Sequence, residues 1–116
     1  MASFLRAWTL TVIVETPVWA ILLNRVEGVG LRRAAAVGAT VTGISHVLLW
    51  WVLAPDFAIV SGSDLSGALL AELVVWLGEA FGAWLLLRVR PAVLLAVSAL
   101  ANLTSLLAGL LGAAIV

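Results

Sequence analysis

The chain has 116 residues, 65% of them hydrophobic and 10% charged, with a formal net charge of zero. A soluble domain is nearer half apolar, so a mean hydropathy of +1.25 points to a membrane instead. No basic excess favours nucleic acid, and the absence of cysteine excludes disulfides, thiol catalysis, Cys-ligated zinc and iron–sulfur clusters.

The first apolar run, residues 4–23, is long enough to cross a bilayer, which takes about 20 residues. It carries Glu15 and Pro17 in its middle. It is too long for the core of a secretion signal, and no small-x-small site closes it. Pro17 removes the hydrogen bond to the Ile13 carbonyl and predicts a kink. Residues 24–33 read as a polar turn containing Gly28 and Gly30. A second helix is predicted over 34–53, built first from small residues (Ala35, Gly38, Thr42, Gly43, Ser45) and ending in the interfacial pair Trp50-Trp51. His46 lies inside it. Ala54-Pro55-Asp56 ends that helix, and a loop follows to Gly67, where Ser63 or Asp64 is placed to cap the next helix. The third helix is predicted over 68–87. It holds Glu72 and Glu79 on one face with Trp76 between them, and a G-x-x-x-G at Gly78 and Gly82 suited to close helix packing. Residues 88–91 form a tight turn, with Pro91 suited to the first turn of the fourth helix. That helix runs to the C-terminus with a face of Ser98, Asn102, Ser105, Gly109 and Gly112.

Arginines set the expected orientation. Arg25, Arg32, Arg33, Arg88 and Arg90 lie in the first and third connections, while the second carries Asp56 and Asp64 with no cation. Both arginine connections are therefore expected in the cytoplasm, and both termini outside. Arg6 is the exception and can reach the headgroups from the outer end. All six cations are arginine, which we read as genomic base composition.

The two halves resemble each other. Glu15 to Val26 and Glu79 to Val89 both run from a glutamate through Leu-rich sequence to Arg-Val. Thr42 and His46 then match Ser98 and Asn102. The expected fold is all-α: a four-helix transmembrane bundle forming one integral membrane domain over 1–116. It is built as two parallel-repeat helical hairpins, about 1–54 and 68–116, joined by the loop at 55–67.

Each predicted helix carries a polar group, and a carboxylate at the centre of a membrane helix costs roughly 2.5 to 3.5 kcal/mol on insertion scales. Counted from the cytoplasmic turns, Glu15 and Glu79 lie about 13 Å deep, and Asn102 and His46 roughly 18 to 20 Å. Glu72, at roughly 24 Å, is near the outer surface. Glu15, His46, Glu79 and Asn102, with Ser105 and Glu72 at the margins, are the candidate proton-, ion- or ligand-binding residues. Two carboxyls sharing a dry interior leave at least one of them neutral unless a cation joins them. If neutral, they can hold the bundle together by hydrogen bonds of about 0.6 to 2 kcal/mol. If exchangeable, they handle protons or cations. A metal would take Glu15, His46 and Glu79 as ligands, although the E-x-x-H signature of di-iron bundles is missing.

The plan is similar to that of small multidrug transporters in length, helix number and the glutamate of the first helix. Glu79, His46 and the parallel repeat depart from that pattern. The glycine-rich and Asn-containing signatures of small fluoride channels are also missing. The leading expectation is a small transporter or channel for protons, cations or a small solute. A non-catalytic membrane subunit of a larger complex is the alternative, and an intramembrane metal-binding or enzymatic site comes third. No cofactor is implied and no nucleophile–base pair can be named. The expected partners are the lipid bilayer and a homo-oligomer or membrane subunit, in a bacterial inner membrane.

Overall fold

The computed structural model describes residues 2–49 and 64–115. They form four helices and no strand: α1 (Ala2–Glu27), α2 (Leu31–Leu48), α3 (Asp64–Leu87) and α4 (Pro91–Ile115). Trp50, Trp51, the loop with Asp56, the side chains of Ser63 and Asp64, and the surroundings of Gly112 lie outside the described residues.

Three stretches are long and apolar enough to cross a membrane: Phe4–Glu27, Leu69–Leu87 and Pro91–Leu111. Their outward faces are apolar too, with Ile13, Leu77, Phe81, Leu103 and Leu110 all exposed, which is the exterior of a membrane protein. α2 does not reach that apolarity within its described length, because Arg32, Arg33 and His46 fall inside it.

The helices close a ring. α1 packs most extensively on α2 and also on α4, while α3 packs on α4 and more sparingly on α2. The α1–α2 seam is close because Gly38 faces Trp19. A methyl group added at Gly38 would sit 2.5 Å from the Trp19 Cβ. Trp19, Leu23, Ala34, Ala83, Leu94 and Ala101 are fully buried and fill the core.

Both hairpins turn in three residues, 28–30 and 88–90. Each helix stop uses a left-handed residue, Gly28 at φ 70° and Arg88 at φ 55°. Gly28 donates to the Asn24 carbonyl, Val29 donates to the Leu23 carbonyl, and the Asn24 amide donates to the Val29 carbonyl at 2.9 Å. The polar stretch after Leu23, expected as loop, therefore stays helical to Glu27, and α2 begins earlier than predicted. Arg88 lies over the Trp84 ring, 4.2 Å from its centroid. The two turns sit at the same end of the bundle. Arg90 Nε donates to Glu27 Oε1 at 2.8 Å, and Arg33 donates to the Leu86 carbonyl at 3.4 Å.

Candidate functional site

The extra turn of α1 changes the depth of Glu15. It lies twelve residues from the end of α1, whereas Glu79 lies eight from the end of α3. Equal depth by residue count is therefore not what joins them. The same one-turn difference separates His46, fifteen residues into α2, from Asn102, eleven into α4. The bundle nevertheless gathers Glu15, His46 and Glu79. One ligating atom from each lies within 4.8 Å of the other two, and all three residues are buried.

Glu79 is held firmly. Asn102 Nδ2 donates to its Oε1 at 2.6 Å, and Ser45 Oγ donates to its Oε2 at 2.8 Å. Asn102 uses its second amide proton on the Ser98 carbonyl at 2.8 Å, so it stands as a fixed donor. Ser45 is different, because a hydroxyl can donate or accept. The Thr42 carbonyl lies 3.1 Å from the same Oγ. When Glu79 is a carboxylate, Ser45 donates to it. When Glu79 is an acid, Ser45 can accept a hydrogen bond from its O–H and donate its own to the Thr42 carbonyl. The site thus accommodates both protonation states of Glu79 without moving a heavy atom.

Glu15 is fully buried, yet neither of its carboxyl oxygens has a hydrogen-bond partner. His46 Nε2 lies 3.5 Å from Glu15 Oε2, an ion-pair distance, but the atom makes no hydrogen bond in this orientation. Thr16 Oγ1, Trp19 Nε1 and Thr42 Oγ1 are buried and unpartnered as well. Among the described residues these orphans all belong to α1 and α2. The α3–α4 side is satisfied: Trp76 Nε1 donates to the Leu95 carbonyl at 2.8 Å, and Ser98 Oγ donates to the Trp76 carbonyl at 2.9 Å. Buried polar atoms in native proteins nearly always have partners, so unpartnered carboxyl and imidazole atoms this close together point to a ligand, water or ion.

The remaining predicted residues fall outside this cluster. Glu72 is exposed, two turns along α3 from Glu79. Ser105 Oγ lies 3.5 Å from Thr11 Oγ1 and links α4 to α1. Trp8 donates its indole N–H to the Gly43 carbonyl at 3.0 Å. Of the G-x-x-x-G pair, Gly82 meets Val41 while Gly78 faces open space. Gly78 lines an apolar groove of about 400 Å³ between α2 and α3, which also includes Ser45 and Val75. Sequence reading treated Ser45 as a small packing residue. Its one signal was position, three residues after Thr42 and next to His46 on the inward face.

Comparison of the chain with protein-family models, with curated proteins and with solved structures finds no match.

Proposed function

We propose that this chain is a small multi-pass membrane protein of the transporter or channel type. Glu15, His46 and Glu79 exchange a proton or another cation inside the bundle. One observation carries the reading: a fully buried Glu15 with no hydrogen-bond partner faces a second carboxyl that Ser45 and Asn102 hold in place. Two anions this close repel strongly in a low dielectric, and a cation between them relieves the repulsion. A layer kept only to hold helices together would hydrogen-bond both carboxyls, and only Glu79 is hydrogen-bonded, while Glu15 has the His46 contact at 3.5 Å.

In this reading α2 is the fourth span, and the arginine-bearing turns face the cytoplasm of a bacterial inner membrane, with both termini outside. The hairpins are parallel repeats, a view supported by their matching three-residue turns with left-handed stops at Gly28 and Arg88. Four helices enclose little volume. The loosely packed α2–α3 seam and its groove favour completion of the pathway by a second copy or a membrane partner. The same groove is what favours the alternative, a packing subunit without transport of its own.

The test is flux in proteoliposomes read by a pH-sensitive dye. Glu79→Gln and Glu15→Gln are expected to abolish flux in protein that still folds, and Glu72→Gln to preserve it. No flux in the folded wild type, with and without added cations, refutes the reading.

A further inference from the structure

The exchange reading leaves the cation open, and the donor set narrows it. Two buried carboxylates present two negative charges. With His46 neutral, as a ligating imidazole must be, a monovalent ion leaves one of them uncompensated in the membrane interior, and a divalent ion leaves none. The third donor is an imidazole nitrogen. Sodium, potassium, magnesium and calcium sites are built from oxygen, whereas imidazole suits zinc, iron, nickel and copper. The chain has no cysteine and a single methionine, so the soft sulfur ligands that select copper(I) are missing.

Geometry agrees. Ligand bonds of about 2.1 Å in a tetrahedral site put donor atoms about 3.4 Å apart. Glu15 Oε2 and His46 Nε2 already stand 3.5 Å apart, and all three donors fall within 4.8 Å. Closing on a metal asks for a contraction of about 1.4 Å at most. Glu15 can supply it, because no hydrogen bond holds its carboxyl. Glu79 need not move far. Ser45 and Asn102 orient it as outer partners commonly orient metal-binding carboxylates.

We propose that Glu15, His46 and Glu79 bind one divalent transition-metal ion of the zinc or iron(II) class. A fourth position is left open for water or an exchanging ligand. The proposal rests on the reading of this cluster as a cation-exchange site and names its cation.

The experiment uses the full chain in detergent micelles, stripped with a chelator. Zinc(II) is titrated by calorimetry and cobalt(II) by visible absorption. The expected result is one ion per chain, with cobalt ligand-field bands that zinc displaces, and a raised unfolding temperature on metal addition. His46→Ala and Glu15→Gln are expected to weaken binding by about 100-fold or more, and Glu72→Gln to leave it unchanged. His46→Asn replaces His46→Ala if the latter does not fold. Absence of zinc and cobalt binding by the folded wild type overturns the proposal, as does binding that the His46 and Glu15 variants retain. If metal does not bind while Glu79-dependent proton flux persists, this inference falls and the exchange reading stands. If neither is seen, both fall.

Discussion

Glu15→Met separates a working site from a structural one. The Glu15 carboxyl is fully buried and both oxygens lack partners. An unsatisfied buried polar group costs about 1 to 3 kcal/mol. Methionine is of similar length and flexible, so the repacking cost stays under about 1.5 kcal/mol. The variant also gives up the 3.5 Å ion-pair contact with His46, so its stability is expected to stay within about 1 kcal/mol of the wild type while flux is lost. Unfolding in detergent, followed by helical circular dichroism against a denaturant or temperature ramp, measures the first quantity, and the proteoliposome assay measures the second. If Glu15 instead glues helices together, the substitution removes a bond and lowers stability. A loss of more than about 1 kcal/mol would refute the argument, since intramembrane hydrogen bonds contribute about that much.

Other substitutions test other parts. Asn102→Leu strips Glu79 Oε1 of its donor and should lower stability by about 0.6 to 1.7 kcal/mol in the same unfolding assay. Ser45→Ala should slow Glu79-dependent proton flux, because no hydroxyl remains to follow the carboxyl between its two states; an unchanged rate would rule out that role. Gly38→Ala forces a methyl group to within 2.5 Å of Trp19 and should cost about 1 to 3 kcal/mol, whereas Gly78→Ala meets nothing and should be neutral or mildly stabilising. Gly28→Ala should cost about 1 to 2 kcal/mol through its left-handed backbone alone, and Gly30→Ala close to nothing.

The apolar runs and their embedded polar groups were legible because a charge in a membrane helix is rare and expensive. Glu15, His46, Glu79 and Asn102 stand out in sequence for that reason alone. Their pairing was not legible. Sequence reading ranked Glu15 and Glu79 as equals, yet packing gives Glu79 two donors and Glu15 none. The end of α1 was misplaced because Asn24, Arg25 and Glu27 read as loop residues. The Asn24 side chain spends its amide on the turn, and the helix continues beneath it. The G-x-x-x-G of α3 read as suited to close helix packing, but the closest approach lies at Gly38, whose partner is a tryptophan two turns before the end of another helix. Such contacts depend on which helix faces which, and local patterns are blind to that.

The crossed bonds between Trp76, Leu95 and Ser98 rivet α3 to α4 at two levels. The amides of that hairpin should be the last to exchange with deuterated solvent. If the bundle exchanges ions as proposed, displacement falls on the other hairpin, where Glu15, Thr16, Trp19 and Thr42 leave buried side-chain atoms without hydrogen bonds.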